Sequence, residues 1–438
     1  MKGIFSGVSV LLVLSLAMLI TRSLKSRISA ESTRKIIHIT MGCTALSFPY
    51  IFDNKQSVVM LGIASSVIML SLRFNKVLRE NVGASLFGIN RKSLGELYYI
   101  ISIMIVFILH KSVVEYLIPI LVLTFADSVA ALVGIRYGKN NLAGEQEDKK
   151  SSEGSIMFFI TAFTCVLVPL QLMTEIGRSE VLVISFLIGL LAAMVEVVSR
   201  NGNDNLLLPL LVYSFLRYNM SLTLQELLIN FGIMVIFFVM ALFVYRTTTI
   251  SGLSAAYALL FGYVVFIQGG ILWIVPPAAM MLTFGIMPMM KEKEKQEPIP
   301  YHVVEANVFI GLVCLWFSVF LSEYRDILYI AFSLSFACHL TLNTYHRVKK
   351  YRGFGYKMAT FYSFAKSVVF IAVPTLIITG MSWLLFVIYI IFIFAAIPPQ
   401  LLLRKKCDYV GVKIVRARTN EVLVGIVVII FFAVGRLV

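Results

Sequence analysis

Apolar runs of roughly 17–25 residues, each long enough to cross a hydrocarbon core about 30 Å thick, recur from one end of this chain to the other. That recurrence leaves few architectures open. In lipid every backbone N–H and C=O must be satisfied within the segment or by a closed barrel, so long apolar runs of this length specify a bundle of transmembrane helices. About fifteen or sixteen such segments fit between residues 4 and 438, with 205–217 short and interrupted by Pro209, a half-span by length. The composition agrees, being 59% hydrophobic and only 14% charged over 438 residues. The expected fold class is an all-α polytopic membrane protein in two halves, residues 1–220 and 245–438. No soluble domain and no short-period repeat is visible.

The net charge of +15 is a topology signal rather than a nucleic-acid footprint. If the stretch "TRSLKSRISAESTRK" after the first span is cytoplasmic, alternation places 30 of the 38 Lys and Arg residues on that same side. This is the positive-inside asymmetry. It predicts an integral membrane protein with both termini outside, in a cell membrane or an ER- or plastid-type membrane. The first span, preceded only by Lys2 and followed by no small-residue cleavage site, reads as a retained anchor. The five cysteines show no C-x-x-C spacing, which argues against zinc or disulfide chemistry.

The polar residues of the first half are concentrated in five stretches: "ESTRKIIHITMG" (31–42), "RKSLGELYY" (91–99), "ADSVAALVGIRYGK" (126–139), "KKSSEGS" (149–155) and "EVVSRNGNDN" (196–205). The charge asymmetry puts all five at the cytoplasmic ends of spans, although it was drawn without their acidic, His or Gly residues. Asp127 is the sharpest of them, because a carboxylate within a membrane helix faces a partner, a cavity or a substrate. Ala130, Ala131 and Gly134 share its helix face, which is either a small-residue packing face or room for a magnesium–phosphate group. Gly134, Arg136, Gly138 and Lys139 follow, a Gly/basic segment of the kind that approaches phosphate oxygens. Ser151 or Ser152 is a natural N-cap and Glu153 a first-turn acid, and a helix N-terminus is also an anion site. Glu196 lies four residues before Arg200, an ion-pair spacing. Asp204 stands in an Asn/Gly turn, where it is able to complete with Asp127 a hard, oxygen-ligand magnesium site. Arg34, Lys35 and His38 share a helix face, and Glu96 precedes Tyr98 and Tyr99, read as interfacial belt residues. Phosphoryl transfer chiefly needs positioning, magnesium and cations around spread negative charge. This set supplies them for a substrate whose tail lies in lipid.

The same motifs, "E-x-x-R-K-I-I-H-I-x-x-G", "G-E-L-Y", "A-D-S-V-A-A-L-V-G-I-R-Y-G-K", "K-S-S-E-G-S" and "V-E-V-V-S" followed by "N-D-N-L-L-L-P", resemble the dolichol kinase and phytol kinase family over residues 30–215. The resemblance implies transfer of the γ-phosphate of CTP, or of another nucleoside triphosphate, to the hydroxyl of a polyprenol, phytol, dolichol-like alcohol or diacylglycerol, with Mg2+. Carried over by motif, it points to Arg34, Lys35, His38, Glu96, Asp127, Gly134, Gly138, Lys139, Lys150, Ser151, Glu153, Gly154, Glu196, Asp204 and Asn205. The roles expected are catalytic for Asp127, His38, Lys35 and Glu196, and metal-binding for Asp127, Asp204 and Glu96. Nucleotide binding falls to Arg34, Gly134, Arg136, Gly138, Lys139, Lys150, Ser151, Ser152, Glu153, Gly154 and Asn205. The second half, through "TTTISGLSAAYALLFGYVVFIQGGILWIV" (247–275) and "YHVVEANVFIGLV" (301–313), resembles the membrane family of the plant phytyl-phosphate kinase. It departs from that pattern at "LTLNTYH" (340–346), which has Asn343 and no carboxylate, and at "RTNEV" (418–422), which lacks the paired glycines. A second half without that activity, serving as scaffold or lipid-binding partner, is the expectation. Rival readings are a phosphatidate cytidylyltransferase, whose P-G-H-G signature does not follow "KKSSEGS", a CTP-dependent diacylglycerol kinase, and a transporter.

Overall fold

The structure is a computed structural model that describes residues 2–23, 30–75, 94–139, 150–199, 202–247, 252–283, 301–396 and 412–435. The described residues form helices joined by short turns, with no extended strand among them. Seven helices are long and apolar enough to cross a bilayer, and other apolar helices of 10–17 residues accompany them. The protein is an all-α polytopic membrane protein. The expected spans 271–290, 382–402 and 421–438 are described as far as Thr283, Ala396 and Gly435, and their remaining residues lie outside the described set. The chain divides into two compact units, Met1–Phe231 and Gly232–Val438.

Unit 1 contains α1 (Lys2–Ser23), α2 (Ala30–Leu46), the single turn α3 (Phe48–Ile51), α4 (Lys55–Phe74), α5 (Gly95–Leu109), α6 (Val113–Tyr137), α7 (Ser152–Met173), α8 (Arg178–Val198) and α9 (Asp204–Asn219). Local chemistry sets their starts. Asn54 accepts from Ser57 N at 2.8 Å to open α4, Ser112 caps α6, and Ser151 caps α7 by accepting from Gly154 N at 3.1 Å. Helix α6 is not regular along its length. Pro119 lies inside it, and residues Val122–Ala126 widen into a π turn immediately before Asp127. Such turns interrupt the i→i−4 ladder and recur at functional sites. Here side chains take up three nearby carbonyls, those of Leu123, Thr124 and Asp127.

Small residues let the central helices approach. A Cβ on Gly189 of α8 would lie 3.2 Å from the Phe163 backbone of α7, and one on Gly154 would lie 3.1 Å from Ala130 O of α6. Helix α9, the expected half-span, is a buried 16-residue helix with Pro209 inside it, tied to α5 by Tyr213 Oη donating to Leu109 O at 2.7 Å. Helix α10 (Leu224–Thr247) contains the division between the units.

Unit 2 holds α11 (Gly252–Gly269), α12 (Val275–Met281), α13 (Tyr301–Phe320), α14 (Arg325–Arg352), α15 (Tyr356–Thr379), α16 (Trp383–Ala395) and α17 (Val412–Gly435). Its axis is α14, buried along most of its length and rich in small polar residues. Ser333 bonds Thr375 at 2.5 Å and Tyr389 at 2.9 Å, Thr341 donates to Ser367 at 2.7 Å, and Asn343 donates to Asn307 at 3.1 Å. Interhelical hydrogen bonds of this kind join membrane helices that gain little from apolar burial alone. Asn343 and "RTNEV" both fall within helices, α14 and α17.

Candidate active site

Three carboxylates meet at one end of the unit 1 bundle. Ligand atoms of Asp127 on α6, Glu196 on α8 and Asp204 on α9 all lie within 4.8 Å of one another, each residue only partly exposed. At that separation two unit charges repel by about 3 kcal/mol for an effective dielectric near 20. Two lysines offset part of this. Lys35 on α2 places Nζ 2.6 Å from Asp127 Oδ2 and donates also to Asp127 O at 3.2 Å; its side chain is 3% exposed and that of Asp127 17%. Lys150, just before α7, pairs with Glu196 Oε1 at 2.9 Å and donates to the carbonyls of Glu196 and Ser199. Arg34 adds a further positive charge within electrostatic reach of Asp127 and His38.

His38 completes the Asp127 shell. Its Nε2 lies 3.1 Å from Leu123 O and 3.6 Å from Asp127 Oδ2. A carbonyl only accepts, so Nε2 carries the proton. The ring stands edge-on to Tyr99, with centroids 4.8 Å apart. Tyr99 is 2% exposed, so the interfacial role expected for it gives way to a core position against His38. Its hydroxyl lies close to Thr124 Oγ1, and both oxygens are buried with no other polar partner.

Glu196 Oε2 is buried without a hydrogen-bond partner. A carboxylate oxygen in that state, beside two further carboxylates, fits a divalent cation with oxygen ligands. Glu196, Asp204 and Asp127 are the residues that suit it, and they form the one group of three or more acidic, His or Cys residues close enough to hold an ion among the described residues.

Several expectations change. Glu96, expected among the metal ligands, is outside this group and instead faces Arg73 at 3.7 Å. Glu196 pairs with Lys150, just before α7, in place of the i,i+4 partner that its spacing suggested; Arg200 lies outside the described residues. The segment from Gly134 to Lys139 is not a phosphate-cradling loop. Gly134 is within α6, Gly138 ends the helix with its N–H on Gly134 O at 3.0 Å, and the small face of Ala130 and Gly134 is filled by α7 at Ser151 and Gly154. Packing explains those small residues, because a Cβ on Gly134 would meet Ser151 Oγ at 3.1 Å. Arg136 and Lys139 are exposed beyond that contact, Arg136 over the Tyr137 ring. Ser151, Ser152, Glu153 and Gly154 form the first turn of α7, where Ser152 Oγ donates to Glu153 Oε2 at 3.2 Å. Asn205 donates from Nδ2 to Gly95 O at 2.9 Å, a tie between α9 and α5. Gly202, with φ of 79°, sits in the left-handed region that a Cβ disfavours and turns the chain so that Asp204 opens α9 beside Glu196. The π turn, Tyr99 and Thr124 were not foreseen. Pro119, eight residues before Asp127, was the available signal.

The fold and site together define an integral membrane protein with a buried cluster of acids and bases at one end of its helices. The chain is 31% identical to phytol kinase from Synechocystis sp. over 201 residues, which cover 44% of this chain and 83% of that protein. It belongs to the phytol kinase family, a family of kinases. No family model and no solved structure matches it.

Proposed function

We propose that the protein transfers the γ-phosphate of CTP, or of another nucleoside triphosphate, to the hydroxyl of an isoprenoid alcohol such as phytol, a polyprenol or a dolichol-like alcohol. The observation that carries this reading is the meeting of Asp127, Glu196 and Asp204 with Lys35 and Lys150 in a family of kinases. Charge supports it. Three carboxylates against two ammonium groups leave a net negative cluster suited to Mg2+, while Arg34, Lys35, Lys150 and the exposed Arg136 and Lys139 supply cations for phosphate oxygens. Magnesium bound by Glu196, Asp204 and Asp127 would neutralise charge on the transferring phosphoryl group. Lys35 and His38 hold Asp127 in place through its Oδ2. We assign Asp127 as the acceptor of the proton from the alcohol hydroxyl, and His38, whose Nε2 donates to Leu123 O and lies 3.6 Å from Asp127 Oδ2, as the group that orients that carboxylate. Little base strength is required, since phosphoryl transfer passes through a loose transition state.

On this reading unit 1 is the kinase, its site opens to the cytoplasm with both termini outside, and unit 2 is a scaffold or lipid-binding partner without phosphorylating activity. Nucleic acid has no part in it. The test uses purified full-length protein in nanodiscs with Mg2+, α- or γ-labelled CTP or ATP, and a panel of phytol, farnesol, a long polyprenol, diacylglycerol and phosphatidate. The proposal expects γ-label in an isoprenoid alcohol and not in diacylglycerol. Incorporation of α-label into phosphatidate would replace it with cytidylyl transfer.

A further inference from the structure

Beside the acid–base cluster, unit 1 contains an elongated apolar cavity between α1, α2, α4 and α5 that offers about 160 Å³ to the centres of water-sized atoms. Its walls are mostly aliphatic and methionine side chains, among them Leu14, Met41, Met69 and Ile103. Two features connect it to the site. Tyr99 lines the cavity and also packs edge-on against His38. Ile37, between Lys35 and His38 on α2, lines it as well. At the other end lies Phe48, packed against Phe52 and Phe107.

Shape narrows what fits. The lining residues of α4 run from Val58 to Leu72, about 20 Å of helix axis at 1.5 Å per residue. Spread over that length, the volume gives a cross-section of roughly 8 Å² around a centre line. That average suits one hydrocarbon chain better than two side by side. The polar end is equally specific. The buried hydroxyls of Tyr99 and Thr124 have no polar partner beyond each other, and an alcohol can donate to one and accept from the other.

We infer that this cavity holds the single hydrocarbon chain of the acceptor alcohol, its hydroxyl received between Tyr99 and Thr124 beside His38 and Asp127. This rests on the kinase reading above and deepens it, selecting single-chain alcohols over diacylglycerol. Tyr99 and Thr124 become substrate-binding residues, and the depth of the cavity between Tyr99 and Phe48 sets how much of the chain is recognised.

The experiment is photo-crosslinking of wild-type protein in nanodiscs with a phytol analogue bearing a diazirine on its chain, followed by peptide mass spectrometry. Adducts are expected on α1, α2, α4 and α5 at cavity residues such as Met41 and Met69, with labelling reduced at least fivefold by excess phytol and unchanged by dioleoylglycerol. Met104→Trp, which fills the cavity, is expected to reduce labelling and raise the acceptor KM about tenfold with the nucleotide KM unchanged. Met60→Trp, on the exposed outer face of α4, is the control. Adducts confined to other helices, or equal competition by dioleoylglycerol, would overturn the inference. The two readings fail separately. Cavity adducts without phosphorylation of any alcohol would refute the kinase reading alone, whereas phosphorylation with adducts elsewhere and an unmoved KM would refute the cavity assignment alone.

Discussion

Lys35→Met removes the positive charge nearest Asp127 and keeps much of the side-chain volume. Lys35 is almost fully buried, and its Nζ bonds both the carboxylate, at 2.6 Å, and the carbonyl, at 3.2 Å, of Asp127. Breaking a buried pair by deleting one partner costs about 3–5 kcal/mol, mostly because the remaining charge is left uncompensated. Here the remaining charge also faces Glu196 and Asp204, so the upper half of that range is expected. Asp127→Asn relieves the repulsion among the carboxylates and should cost less than Lys35→Met. Combining the two removes both charges, and the double variant should be more stable than the sum of the singles by about 1–3 kcal/mol. The assay is a double-mutant cycle from denaturation of the purified protein in mixed micelles, followed by near-UV circular dichroism. Additivity within about 0.5 kcal/mol would refute the idea that Lys35 exists to compensate the carboxylate cluster. So would a neutral Lys35→Met.

The remaining predictions concern the carboxylates, the caps and the helix contacts. Glu196→Gln and Asp204→Asn should each abolish the Mg2+-dependent rise in melting temperature of the purified protein, while removal of Glu96, which faces Arg73, should leave it intact. Ser151→Ala should cost about 1 kcal/mol through loss of the cap to Gly154 N, measured by the same denaturation assay. Gly154→Ala pushes a Cβ to 3.1 Å from Ala130 O and should cost about 1–3 kcal/mol, because a backbone carbonyl cannot turn aside as a side chain can. Gly202→Ala should cost about 1–2 kcal/mol from its left-handed conformation and should also weaken Mg2+ binding by shifting Asp204.

Much of this site was legible in the sequence because the chemistry is expensive in its setting. Charged residues next to apolar runs announce themselves, so Lys35, His38, Asp127, Lys150, Glu196 and Asp204 could be singled out before any helix was placed. Pairing was a different matter. Local spacing offered Glu196 a partner four residues on, whereas the partner is Lys150, brought in from the start of another helix. The glycines misled for a related reason. A Gly/basic run looks alike whether its glycines cradle phosphate or let helices touch, and only the position of α7 against Gly134 and Ala130 decides between them. Tyr99 misled because an aromatic near a span end usually belongs to the interface, yet here α5 turns it inward onto His38. The cavity had no sequence signature at all, since its walls are ordinary apolar residues from four helices.

The central claim is phosphoryl transfer to a membrane alcohol. The most direct measurement incubates the protein in nanodiscs with phytol, CTP and Mg2+, and identifies the lipid product by mass spectrometry, with Asp127→Asn alongside. The account predicts phytyl monophosphate from the wild type, none from the variant, and no diphosphate from either. A wild-type protein that binds Mg2+ and is folded, yet converts neither phytol nor a longer isoprenoid alcohol with CTP or ATP, would contradict it.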